Sequence, residues 1–139
     1  MKSLYLLVLE IFVFVEKNGI LKYICMGDIV GYNANPHECL DIIRELSPEA
    51  IVKGNHDDYA SNNLETIGFN PAAAEAVDWT RRQLSEEERQ WLAELPYTCV
   101  CRCPGYGMFE IVHGTLDNPS NWGYIFDRYT AETCLAYQK

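Results

Sequence analysis

An α/β fold built around a strand–helix–strand unit is predicted by three observations. The short apolar runs 20–26 and 50–52 each lead into a glycine-bearing polar motif, Gly27-Asp28 and Gly54-Asn55-His56-Asp57. Such runs, bounded by turn residues, read as buried strands. The stretch between them, 36–46, carries helix signals. The unit would deliver Asp28, Asn55, His56 and Asp57 to the carboxyl ends of parallel strands, where sheets of this kind hold ligands.

Element by element, the first apolar runs, 4–9 and 11–15, are split by Glu10 and read as a buried strand or a helix end. They are too short for a membrane span. Glu10, with the poor cleavage context Glu16-Lys17-Asn18-Gly19, argues against an export signal. Gly19 suits a helix C-cap. Asn35-Pro36 gives a cap followed by proline at the first helical position, and Leu40, Ile43 and Leu46 share one helical face. Ser47-Pro48 ends that helix.

Residues 58–68 are polar and read as a loop. Asn70-Pro71 repeats the helix-start signal, with Ala73, Val77 and Leu84 facing inward over 72–84. Ser85-Glu86-Glu87-Glu88 matches a capping box opening a helix through Leu95, which Pro96 ends. Strands over 97–103 and 108–112 flank the turn Pro104-Gly105-Tyr106-Gly107 as a hairpin. The second strand leads to His113-Gly114, so His113 joins the other polar residues if its strand belongs to the same sheet. The stretch 130–137 is read as helical.

A length of 139 residues fits one domain, 1–139, and 48% hydrophobic with 12% aromatic residues predicts a packed core. The formal charge of −9 disfavours nucleic acid as a stable partner, because a phosphate backbone selects basic surfaces. A small phosphoester remains compatible, since bound cations invert the local field. Among six cysteines, Cys99, Cys101 and Cys103 alternate and so share one strand face. Without a CxxC pair they read as reduced thiols, and the expected compartment is cytoplasmic.

Gly27-Asp28-Ile29-Val30-Gly31-Tyr32, Gly54-Asn55-His56-Asp57 and His113, in that order, resemble the calcineurin-like metallophosphoesterases, and the first of them resembles the small prokaryotic branch of that family. The resemblance implies that Asp28, Asn55 and His113 are metal ligands, with Asp28 the bridge between two cations. It implies that His56 is the histidine beside the leaving-group oxygen, oriented and kept charged by Asp57. The implied cofactor is a divalent metal, first Mn²⁺, with Fe, Zn, Ni or Mg as alternatives; the implied reaction is hydrolysis of phosphomonoesters or phosphodiesters.

Taken singly, Asp28 could cap a turn, Asn55 could be a turn residue and His113 a hydrogen-bonding histidine. Their shared order is what favours the metal reading. His37 stands outside the pattern and reads as surface. The family's Asp-x-His and Gly-His-x-His motifs have no counterpart in these 139 residues. The expectation is therefore a partial metallophosphoesterase domain with an incomplete metal site, holding at most one cation weakly. The alternative is a catalytically inactive relative serving as a binding module, self-associating through an exposed sheet edge.

Overall fold

The computed structural model describes residues 13–14, 17–19, 22–32 and 34–137. Most of the reading of residues 4–15 lies outside the described residues, although Val13 and Phe14 are helical and exposed.

Strand β1 (Ile24–Cys25) pairs in parallel with β2 (Ala50–Ile51), and helix α1 (Pro36–Leu46) crosses between them. The strand–helix–strand unit is therefore present, with regular pairing confined to two residues on each strand. Of the predicted first strand, residues 20–21 lie outside the described ones. Asn35 precedes α1 in a left-handed conformation and makes no side-chain cap; its amide donates instead to the Glu38 carboxylate at 3.0 Å. Pro36 supplies the fixed backbone angle the first turn needs. Leu40 and Cys39 are buried, while Ile43 and Leu46 are half-buried.

The predicted loop over 58–68 is partly overturned, because α2 (Asn55–Ser61) begins at the second motif and runs into it. Asp57 and Asp58 lie in its first turn, where carboxylates oppose the helix dipole favourably. Polar composition concealed this helix, since Asp58 is buried by ion pairing. The Lys53 ammonium reaches its carboxylate at 3.2 Å and the Ala93 carbonyl at 2.8 Å, and the Tyr97 hydroxyl donates to the same carboxylate. This buried network ties the start of α2 to the segment ahead of the hairpin.

Helices α3 (Pro71–Gln83) and α4 (Glu86–Glu94) match their start signals: Asn70 accepts from the Ala73 amide, and Ser85 and Glu88 exchange cap hydrogen bonds. The core beneath the helices gathers Ile29, Val30, Leu40, Leu84, Leu92 and Leu95. Leu40 and Leu92 are completely buried. Truncating either to alanine costs about 2–5 kcal/mol by lost transfer energy and cavity formation.

Strands β3 (Thr98–Cys103) and β4 (Gly107–Val112) form the expected antiparallel hairpin, followed by a 3-10 turn (Pro119–Asn121) and α5 (Arg128–Leu135). The hairpin is a separate sheet, not hydrogen-bonded to β1–β2 in the strand order. It reaches the first sheet by packing: Cys101 and Ile111 bury against Ala50 and Val52, with Cys99 and Cys103 alongside. His113 thus approaches the first sheet across a side-chain layer. No helix among the described residues is long and apolar enough to cross a membrane.

Candidate functional site

Two tight loops meet at the candidate site, and glycine permits the meeting. Gly27 has φ +87°, and a Cβ there would overlap the backbone of Gly54; a Cβ on Gly54 would overlap the Asp28 carboxylate and amide. Asp28 itself sits at φ 54°, a left-handed conformation that costs a non-glycine residue about 1–2 kcal/mol. Ile29 and Val30 plunge into the helical core directly after it, which anchors the loop.

Asp57 fastens the loops together. Its Oδ1 accepts from the Ile29 and Val30 amides at 2.8 and 3.2 Å, and its Oδ2 accepts from the Gly54 amide at 2.9 Å. Complete burial pushes its carboxyl up to about 7, against the pull of those backbone donors. This corrects the reading in which Asp57 orients the His56 ring. Both ring nitrogens of His56 lack a hydrogen-bond partner, so Asp57 reaches His56 only through the backbone.

Burial lowers the pKa of His56, and the Asp28 charge that opposes this does not prevail. Its residue exposure is 1%, the Tyr32 ring lies over it at 3.8 Å between centroids, and Phe69 meets it edge-on at 5.5 Å. A Cβ on Gly31 would enter the imidazole, so that glycine also shapes the pocket. The His56 amide donates to Asp28 Oδ1 at 3.1 Å, which fixes the carboxylate's direction.

His113 completes the approach. Its Nδ1 lies 2.6 Å from the Met26 carbonyl, which can only accept, so Nδ1 donates there and Nε2 faces away from it. Nε2 lies 3.6 Å from Asp28 Oδ1. A carbonyl partner on the far nitrogen is the usual way proteins aim a histidine at a metal. Asn55 and His113 border one cavity of about 210 Å³. A second cavity, about 360 Å³, lies on the other side of Asn55 and is lined by His56, Tyr32 and Phe69.

Four of the five sequence-predicted residues thus surround one place: Asp28, Asn55, His56 and His113 converge, and Asp57 lies beneath them as a backbone fastener. Asp28 and His113 fit two corners of a divalent-cation site by donor type and orientation. Among the described residues no group of three His, Cys, Asp or Glu side chains gathers to complete one. The sequence reading assigned nothing to Tyr32, Trp122 or Tyr124, which wall the cavities. Tyr32 closes the first motif, and that adjacency was the available signal.

Over 116 residues the chain is 36% identical to an uncharacterised protein of Methanocaldococcus jannaschii, covering 83% of this chain and 46% of that one. Among solved structures, a metallophosphoesterase from Sphaerobacter thermophilus aligns with a TM-score of 0.73 at 32% identity, covering 96% of this chain and 52% of that one. A hypothetical protein from Pyrococcus horikoshii aligns with a TM-score of 0.76, covering 95% of this chain and 59% of the other; at 22% identity the likeness is one of fold. No family model matches. The chain spans about half the length of the relatives it matches.

Proposed function

We propose that this chain, a partial member of the metallophosphoesterase family, supplies the Asp28–Asn55–His56–His113 part of a site that hydrolyses small phosphate mono- or diesters. The observation carrying this reading is the aimed pair: His113, its ring held by the Met26 carbonyl, faces the Asp28 carboxylate beside Asn55. Asp28, Asn55 and His113 are the residues that would hold a divalent cation, with Mn²⁺ the first choice. Such a cation, when bound, polarises phosphoryl oxygens and activates water.

The chain's own contribution is positional. Asp28 is fixed by its left-handed backbone and the His56 amide, so its carboxylate needs little reorganisation on binding. His56, buried beneath the Tyr32 ring with both ring nitrogens unpartnered, would reach a phosphate or leaving-group oxygen only once Tyr32 moves off it. Among the described residues the gathered donors are fewer than a full centre needs, and the proposal includes weak metal binding and slow turnover. A cytoplasmic setting belongs to the same proposal.

Calorimetry with Mn²⁺, paired with hydrolysis of an aryl phosphate and its diester, tests this. Weak binding of one cation and slow hydrolysis, both lost in Asp28→Asn, are expected. Rapid turnover with two metals per chain overturns the incomplete site. A second reading is a non-catalytic binding module, since no three-donor group gathers among the described residues. Neither metal uptake nor hydrolysis by the intact chain would select it.

A further inference from the structure

We infer that Trp122 is a positioning residue for His113, and that the buried Lys53–Asp58 pair holds Trp122 in place through Tyr97. The inference rests on the metal reading of His113 for its consequence, though not for its geometry.

The hydrogen bond from His113 Nδ1 to the Met26 carbonyl fixes one point of the ring. It leaves the imidazole free to turn about the direction of that bond, because the terminal torsion of a histidine is broad. A second contact is needed to aim Nε2, and the Trp122 indole supplies it. The two rings meet edge to face at 76°, with 6.0 Å between centroids, inside the range in which aromatic pairs attract. Nε2 then lies 3.6 Å from Asp28 Oδ1, while the His113 side chain stays 23% exposed. A ring this open is not held by the core, so the two named contacts carry its orientation.

Trp122 is backed in turn. The Tyr97 ring lies against it at 5.6 Å and 50°, and the Tyr97 hydroxyl donates to the Asp58 carboxylate at 3.2 Å. The Lys53 ammonium sits over the Tyr97 ring at 4.8 Å and bonds the same carboxylate. Lys53 and Asp58 are 3% and 5% exposed, so this end of the series is anchored in the protein interior.

The backbone gives an independent sign. Trp122 has φ 55°, in the left-handed region that bulky residues rarely adopt, although Gly123 stands beside it. Turn chemistry alone would put the glycine at the left-handed position. Gly123 instead serves a close approach: a Cβ there would overlap the Thr115 side chain, and a Cβ on Gly114 would press on the 122–123 backbone. Strain retained on a bulky ring marks a constraint on where that ring must lie.

The test uses the intact metal-free chain with isotope-labelled histidine, followed by NMR. Solvent exchange of the His113 Nδ1 proton reads how often the ring leaves its seat. Trp122→Phe keeps a ring at the contact and should exchange as the native chain does. Trp122→Leu keeps apolar bulk without a ring and should exchange about fivefold faster, the scale of one aromatic pair. Tyr97→Leu should act in the same direction, whereas Trp79→Leu, the same kind of change on helix α3, should not. In parallel, Mn²⁺ affinity should fall about tenfold in Trp122→Leu and be retained in Trp122→Phe, as expected of residues that orient metal ligands. Exchange alike in Trp122→Phe and Trp122→Leu overturns the inference, because bulk rather than a ring would then suffice. Should Trp122→Leu not fold, Tyr97→Leu decides, and native exchange in that variant overturns the inference. The expected exchange pattern in a chain that takes up no Mn²⁺ removes the metal reading and leaves the positioning role.

Discussion

His113 Nε2 lies 3.6 Å from Asp28 Oδ1, although the two residues follow strands of different sheets. The contact exists because Cys101 and Ile111 of the hairpin bury against Ala50 and Val52 of the parallel pair. An imidazole nitrogen and a carboxylate oxygen meet there without either being consumed by another side chain. His113→Ala and Asp28→Asn should each weaken Mn²⁺ binding by about tenfold or more, the scale on which metal-site residues act. His37→Ala, remote from the site, should not. Unchanged affinity in either site variant removes the pair from the proposed centre.

Asp57→Asn should destabilise the chain by about 1–3 kcal/mol in urea unfolding. The carboxylate accepts three backbone amides, and an asparagine would turn an N–H₂ donor toward either the Gly54 amide or the Ile29 and Val30 amides. A neutral outcome would mean that the loops do not depend on this fastening.

Gly31→Ala should be worse than Gly68→Ala. Both positions have positive φ, +109° and +89°, so both substitutions carry backbone strain of about 1–2 kcal/mol. Only at Gly31 does the new methyl also enter the His56 ring, adding an overpacking cost of about 1–3 kcal/mol. Equal losses in chemical denaturation would show that the ring yields freely.

The His37–Glu88 pair predicts a pH window of stability. His37 Nδ1 lies 2.7 Å from Glu88 Oε1, and that hydrogen bond raises the histidine pKa from 6.5. Burial pushes Glu88 up, but hydrogen bonds from His37 and Ser85 outweigh it and hold the carboxyl below 4.5. The histidine's contribution is therefore fully present below 6.5 and fades as pH rises through its raised value. The carboxylate's is present above 4.5 and fades as pH falls through its lowered value. Thermal unfolding of His37→Ala should show a loss of about 0.5 kcal/mol near pH 5.5, shrinking by pH 8.5. A loss that grows with pH would contradict the pairing.

The surface reading of His37 missed this partner, because Glu88 lies far along the chain and sequence offers no measure of such a meeting. Local signals did better. Pro36, Asn70-Pro71 and Ser85 with Glu88 act within one helical turn, so their helices begin within a residue of the predicted starts. The hairpin around Pro104–Gly107 was equally local. Helix α2 was hidden because its buried face uses Asp58 paired to Lys53, a polar solution that resembles a loop in composition. For the site, the residue types at Asp28, Asn55, His56 and His113 were visible as motifs. The direction of each side chain was not, and the role given to Asp57 changed once its three amide partners were seen.

The fastening of Gly27–Val30 to Gly54 by Asp57 also bears on how the chain acquires its site. A parallel strand pair joined through a helix can close only after the crossover has formed, and here the regular ladder spans two residues per strand. So short a ladder gives little cooperativity of its own, and the three amides on Asp57 extend the same junction beyond it. Site geometry and completion of the parallel unit become a single folding event. A chain arrested before that event would hold Asp28 and His56 on independent loops, with no preformed place for a phosphate.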